Sequence, residues 1–218
     1  MKISKPIKDS SYAIYGLGLS GKSVFKFLKK KNIKKIYTWD DKKNKNDKKK
    51  FKLFKKILDI VDYIVISPGI NIQKTKFKSR LLINKKKLIT DLDLFYMQKI
   101  PVKSIVITGT NGKSTACKLT QHIFKASKLD AQLGGNIGKP ILDLKIKKKS
   151  IVIIEASSFQ LSYTKFIKPT IGAILNISSD HLDWHNTITN YKNSKFKIFS
   201  KQDSNDIALL NNKKLVKL

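Results

Sequence analysis

A chain of 218 residues is long enough for one large or two small domains. It carries 46 Lys+Arg against 15 Asp+Glu, a formal net charge of +31, which taken alone would suggest a nucleic acid or an anionic membrane as partner. The distribution argues otherwise: every basic residue except Arg80 is Lys, these are scattered along the whole chain, and Asn and Ile are abundant too. The charge therefore reads as compositional drift with solvated Lys faces, and no nucleic-acid site is expected. A single cysteine, Cys117, excludes a disulfide scaffold and fits a reducing, cytoplasmic setting. No apolar run approaches about 18 residues and the N-terminus lacks an apolar core, so neither a membrane span nor a signal peptide is expected. In so Lys-tolerant a chain, the stretches free of Lys and Arg (9–21, 57–73, 88–98, 104–112, 129–138, 150–164 and 169–191) mark places that are buried or touch ligand.

In chain order, Tyr12–Tyr15 reads as a strand running into Gly16-Leu17-Gly18-Leu19-Ser20-Gly21 and then an amphipathic helix to about Lys31. A second strand, Ile36–Trp39, ends at Asp40, within the spacing of an acidic ribose ligand. Alone, this pattern suggests a dinucleotide oxidoreductase, but no hydride-transfer site follows and the same turn can hold any diphosphate. Residues 41–50 read as a charged loop, 51–58 as helix, and Tyr63–Ile66 as a third strand ending in Ser67-Pro68-Gly69-Ile70. Helix over 75–86, a short strand over 88–90 and a short helix over 91–98 follow, and Pro101 marks a boundary, so a domain junction is expected near residue 99. Alternating strands and helices imply parallel sheets with ligands at the carboxyl ends of their strands.

The second part opens on Ile105-Val106-Ile107, a buried strand, followed by Thr108-Gly109-Thr110-Asn111-Gly112-Lys113-Ser114-Thr115 and a helix to about Lys128. A strand, a glycine turn and a helix start gather backbone N–H groups around one point, which attracts phosphate. Lys113 adds a cation, and the Ser114 hydroxyl can reach a Mg²⁺ ion on the same phosphates. The generic phosphate loop has a glycine where Ile107 stands, so this is a shorter form. Residues 133–138 read as a glycine turn, 150–154 as a buried strand ending at Glu155, 171–175 as a strand leading to Asn176, 188–199 as helix, and Ile207–Leu210 as the start of another strand. Glu155 is the only glutamate; its place at a strand end suits a Mg²⁺ ligand beside the phosphate loop, or a simple strand-end cap. His181, between Asp180 and Leu182, is a ligand or a surface-loop residue; His185 is open to either reading, and His122, within the helix pattern, reads as structural.

The loop Gly109–Thr115 resembles the ATP loop of the Mur ligases and folylpolyglutamate synthases, which join an amino acid to a carboxylate through an acyl phosphate. The ordered set of Gly16–Gly21, Ser67–Ile70, Asp91-Leu92-Asp93-Leu94-Phe95, the phosphate loop, Gly134–Gly138, Glu155-Ala156-Ser157-Ser158-Phe159-Gln160-Leu161 and Asp180-His181-Leu182-Asp183 resembles the D-glutamate-adding branch of the Mur ligases. That resemblance implies an α/β protein: a Rossmann-like parallel-sheet domain over 1–99 that binds a UDP-substrate, then a partial ATP-binding central domain over 100–218. It implies ATP and Mg²⁺ as cofactors, UDP-N-acetylmuramoyl-L-alanine and D-glutamate as substrates, and a monomer. Leu19, Ser20, Asp40 and Gly69 would hold the UDP moiety, and Asn136 and Ser157 the muramoyl part. Gly109, Thr110, Asn111, Gly112, Lys113, Ser114 and Thr115 would bind ATP, with Lys113, Glu155, His181 and Lys195 catalytic. Ser114 and Glu155 would hold one Mg²⁺; His181 and a carbamylated Lys195 would serve a second. Lys42 departs from the Arg common in the family. The family continues through the rest of the ATPase sheet and a D-glutamate-binding domain, both missing here, so binding without turnover is expected. On the helix expected over 188–199, Lys195 falls on the apolar stripe with Ile188, Tyr191, Ile198 and Phe199, while Lys197 and Lys201 fall on the opposite, solvent side. A snorkelling lysine is the alternative; burial would instead lower the pKa of Lys195 and leave a neutral amine that reacts with CO₂.

Overall fold

The computed structural model describes residues 5–211, which divide into two compact units, residues 5–98 with 163–165, and residues 99–162 with 166–211. In the first, strands β1 (Tyr12–Tyr15), β2 (Ile36–Trp39), β3 (Tyr63–Ile66) and β4 (Leu88–Ile89) form a sheet of order β2-β1-β3-β4. Every pairing is parallel. Helices α1 (Leu19–Lys30), α2 (Lys48–Ile60), α3 (Lys78–Ile83) and α4 (Asp91–Met97) alternate with these strands.

The central strand β1 is fully buried at all four positions, as a parallel strand covered on both faces should be. One side packs an aromatic cluster of Tyr15, Trp39, Phe54 and Phe77, with Phe51 against it; Phe77 meets Tyr15, Trp39, Phe51 and Phe54 at 4.7–5.5 Å between ring centroids. Gly21 is required by contact: a Cβ there would lie 1.9 Å from the Gly16 carbonyl oxygen, so only glycine lets α1 start this close to the turn.

The second unit holds β5 (Lys103–Thr108), α5 (Lys113–Ala126), β6 (Ala131–Gly135), β7 (Ile151–Glu155), α6 (Ser158–Tyr163), β8 (Ile171–Ile174), α7 (Leu182–His185), α8 (Ile188–Phe196) and β9 (Ile207–Leu210). Its sheet runs β6-β7-β5-β8-β9 and is parallel throughout. In each sheet the chain leaves one strand toward opposite neighbours: β1 lies between β2 and β3, and β5 between β7 and β8. Such switch points open a crevice at the strand's carboxyl end, where the two glycine turns follow β1 and β5.

Several expectations change. The loop over 41–50 ends early, because Asp47 accepts the Lys50 amide and caps α2 from Lys48. The helix expected over 75–86 is α3 plus a 3₁₀ turn, Lys85–Lys87. Residues 133–135, read as the first half of a glycine turn over 133–138, belong to strand β6; only the residues after Gly135 turn. Helices α6 and α7 were not expected. No helix among the described residues is long and apolar enough to cross a membrane.

Candidate active site

In the second unit, buried β5 ends at Thr108 and the chain turns back through Gly109–Gly112. Gly112 has φ +79 and precedes the first turn of α5, where no side chain caps the helix. The first N–H groups of a helix have no partner within it, so those at the start of α5 face outward with the positive end of the helix dipole. Lys113 Nζ donates to the Thr110 carbonyl at 2.7 Å, folding its ammonium over the loop.

Glu155 ends β7 level with Ile107 of β5, which brings its side chain beside the loop. It is 1 % exposed, accepts the Ser114 hydroxyl at 2.7 Å on Oε2 and the Asn136 Nδ2 at 2.8 Å on Oε1. The Asn136 amide also donates to the Glu155 carbonyl at 2.8 Å. Ser114, Asn136 and Glu155, far apart in sequence, thus meet at one place, next to Lys113 in the chain. Ser157 is directed elsewhere: its amide and hydroxyl donate to Gln160 Oε1 at 3.1 and 3.2 Å, capping α6. Thr115 is exposed on α5. Cys117, behind the loop, is buried, and burial with the Glu155 charge pushes its thiol up to about 12, an inert group.

His181 immediately precedes α7 in the left-handed region, φ 51, exposed, with Nδ1 3.5 Å from Asp180 Oδ1 and its ring 4.8 Å from that of Phe159. His185 is buried, shares a 3.0 Å hydrogen bond with the Ser158 hydroxyl and stacks on Phe159; burial, with His181 and Lys195 adding, pushes its pKa down to about 4. It is a neutral packing residue. His122 lies on the exposed face of α5, outside any core.

Lys195 is 1 % exposed, donates from Nζ to the Gly109 carbonyl at 2.8 Å, and sits 4.5 Å above the Tyr191 ring. Burial, and secondarily the Lys113 charge, lower its pKa from 10.5 to about 7. Lys197 is not on a solvent face. The α-helix ends at Phe196, the tighter 3₁₀ turn Lys197–Phe199 follows, and the half-buried Lys197 donates to the Ser162 carbonyl. A period of 100° per residue does not hold through such a turn.

The sequence analysis missed two residues here. Asn176 binds the loop, its Oδ1 accepting the Thr110 and Asn111 amides, and Tyr191 shares a 3.0 Å hydrogen bond with the Thr110 hydroxyl.

In the first unit, Asp40 follows β2 and accepts three backbone amides: Leu17 at 2.7 Å, Lys42 at 3.1 Å and Lys43 at 3.2 Å. These donors, Leu17 first, hold its carboxyl below the usual carboxylate range. Its first task is thus to shape the glycine turn, with one of about four lone-pair positions left for a ligand. The Ser67 hydroxyl donates to the Gly16 carbonyl at 2.8 Å and joins the Ser67–Ile70 turn to it. Around this junction Leu19, at 79 % exposure, and Gly69 are open to solvent, and Ser20 is half-buried.

Residues 107–217 match the family model described as Mur ligase middle domain. The chain belongs to the Mur ligase family. It is 38 % identical over 201 residues to the UDP-N-acetylmuramoylalanine–D-glutamate ligase of Aquifex aeolicus, covering 92 % of this chain and 46 % of that protein. It is 39 % identical over 200 residues to the ligase of the same name from Buchnera aphidicola, covering 87 % and 45 %. The chain spans about half the length of the curated relatives it matches. Among solved structures it is similar in fold to the UDP-N-acetylmuramate:L-alanyl-gamma-D-glutamyl-meso-diaminopimelate ligase of Neisseria meningitides, with TM-score 0.54, 15 % identity, and coverage of 94 % of this chain and 72 % of that one.

Proposed function

We propose that this Mur ligase chain forms the UDP-substrate-binding and phosphate-binding part of an ATP-dependent ligase that adds D-glutamate to UDP-N-acetylmuramoyl-L-alanine. ATP phosphorylates the substrate carboxylate, and the amine of D-glutamate displaces phosphate from the acyl phosphate. The observation that carries the reading is the Ser114–Glu155 pair, 2.7 Å apart, at the uncapped start of α5. A hydroxyl and a buried carboxylate beside open helix amides are the protein's share of a Mg²⁺–phosphate site. Mg²⁺ takes one or two protein oxygens and completes its shell with water and phosphate. The donors therefore fit it, although no cluster of three or more His, Cys, Asp or Glu suited to a metal occurs among the described residues. When bound, the ion neutralises charge on the transferring phosphoryl group.

In this reading the phosphates sit on the amides of Gly112, Lys113, Ser114 and Thr115, since those of Thr110 and Asn111 are taken by Asn176. Lys113 swings from the Thr110 carbonyl to the phosphates. Lys195, near neutrality, supplies the amine for a carbamate, and His181 joins it at a second Mg²⁺; both rings or amines contact Tyr191. Asn136 and Ser157 serve the muramoyl part, and Leu19, Ser20, Asp40 and Gly69 the UDP moiety. The single buried cysteine suits a cytoplasmic setting.

The test uses the chain as it stands. Mg²⁺-ADP and UDP should each bind in calorimetric titrations, and NAD should not compete with UDP. Lys113→Met should weaken ADP at least tenfold, and Glu155→Asp should remove most of the gain that Mg²⁺ gives, because a shorter arm misses a geometry set to a few tenths of an ångström. NAD binding tighter than UDP, or an ADP affinity indifferent to Lys113, would overturn the reading. UDP binding alone would favour a non-catalytic UDP-sugar-binding chain.

A further inference from the structure

We infer that Asn176 is a positioning residue for the phosphate loop: it holds the loop in its anion-accepting shape without touching the anion. The inference rests on the phosphate-site reading above.

Asn176 immediately follows β8 and Leu175, whose amide donates to the Thr108 carbonyl of β5. Its Oδ1 accepts the amides of Thr110 at 3.1 Å and Asn111 at 2.9 Å, its Nδ2 returns a 3.0 Å bond to the Asn111 carbonyl, and its own carbonyl accepts the Thr110 amide at 3.0 Å. Two residues on, the Ser178 amide donates to the Thr110 hydroxyl at 3.0 Å, and that hydroxyl also meets Tyr191. Gly109 fits tightly in the same seam, where a Cβ would lie 3.2 Å from Leu175 Cβ. The segment that leads to Asp180 and His181 is therefore laced to the loop that leads to Lys113 and Ser114.

The chemistry explains the residue type. The task needs an acceptor for two N–H groups and a donor for one carbonyl on a short stem. Asparagine supplies all three; aspartate lacks the donor and alanine lacks everything. Turning the Thr110 and Asn111 amides onto Asn176 fixes the approach to Gly112, and so the direction in which the α5 amides point. A loop not held this way would have to be ordered by the ligand itself, which lowers affinity.

The experiment compares the wild-type chain with Asn176→Ala and Asn176→Asp. Mg²⁺-ADP and inorganic pyrophosphate are the probes, with amide hydrogen exchange of Thr110 and Asn111 measured without ligand. Asn176→Ala should weaken both probes about tenfold and speed exchange chiefly at Asn111, since the Thr110 amide keeps its bond to the backbone carbonyl of residue 176, leaving the melting temperature within a few degrees. Asn176→Asp keeps the acceptor bonds and should keep their protection. Unchanged probe affinity in Asn176→Ala would overturn the inference. So would rapid exchange of both amides in the wild-type chain, whatever the probes do. Failure of the wild-type chain to bind either probe, with both amides protected and that of Asn111 released by Asn176→Ala, would sink the phosphate reading and leave the clamp standing.

Discussion

Lys195 shows how one buried charge sets a pH dependence. Its amine has one carbonyl partner, Gly109, and the face of Tyr191, and it shares the neighbourhood with the cation of Lys113. The folded state therefore binds its proton less tightly than the unfolded chain does, with a pKa near 7 against 10.5. Between those values the unfolded state holds more protons, so stability rises with pH across that window. At about 1.4 kcal/mol per pKa unit the effect amounts to several kcal/mol. Urea midpoints measured from pH 7 to pH 9, below the range in which the buried Cys117 thiol acts in the opposite sense, should climb in the wild-type chain, and the slope should shrink in Lys195→Met, which fills the same space without a charge. Lys201, exposed beyond the last helical turn, is the control: Lys201→Met should keep the wild-type slope. A wild-type midpoint that falls over this range would contradict the burial argument. His185 does not interfere, because its titration lies far lower, near 4.

At the scale of elements, the aromatic cluster of the first unit concentrates stability on Phe77, which is 1 % exposed and contacts four other rings. Deleting such a ring costs about 3–5 kcal/mol through lost transfer energy and the cavity left behind. Each unit contains one tryptophan, Trp39 in the first and Trp184 in the second. Phe77→Ala should therefore lower the urea midpoint reported by Trp39 fluorescence in a Trp184→Phe background by well over 1 M, at a slope of about 1–3 kcal/mol per molar. A shift below about 0.3 M would mean that the ring is not core. The elements that position these residues were largely legible in the sequence. Strands β1 and β3 are continuous apolar runs bounded by turn residues, and a buried parallel strand has to read that way. Strand β6 was not legible, because Gln132, Gly134 and Gly135 dilute its apolar signal. Helix α6 hid behind a polar run, although Ser157 and Gln160 stand at capping-box spacing and bond to each other. Helix α7, four residues long, is too short for any periodicity. The glycine loop, Glu155 and Lys195 stand out as candidates because each breaks its background: a glycine turn after a strand, a single glutamate, a charge on an apolar stripe. Asn176 does not, since its partners lie 65 residues away and are backbone atoms.

Across the whole sequence 46 Lys+Arg face 15 Asp+Glu, so cations outnumber carboxylates about three to one. Against a net +31, ion pairs among the described residues include Lys5 with Asp62, Arg80 with Asp59, Lys168 with Asp203 and Asp206, and His181 beside Asp180. Exposed pairs of this kind contribute about 0–1 kcal/mol each. Repulsion among the many remaining cations is summed over every pair within a screening length of about 10 Å at 0.1 M salt. It is stronger in the compact state than in the expanded chain. Added salt weakens both the attractions and the repulsions, and the repulsions are the larger sum. The melting temperature should therefore rise as NaCl goes from about 0.05 to 0.5 M, against the direction expected of a fold held by surface ion pairs. Chloride bound at the phosphate loop would produce a rise of its own, and Lys113→Met separates the two. If screening is the cause, that variant shows the same increase as the wild-type chain; if anion binding is, the increase shrinks. A melting temperature that falls with NaCl would show that the surface lysines are paired in solution in ways the ion pairs above do not represent.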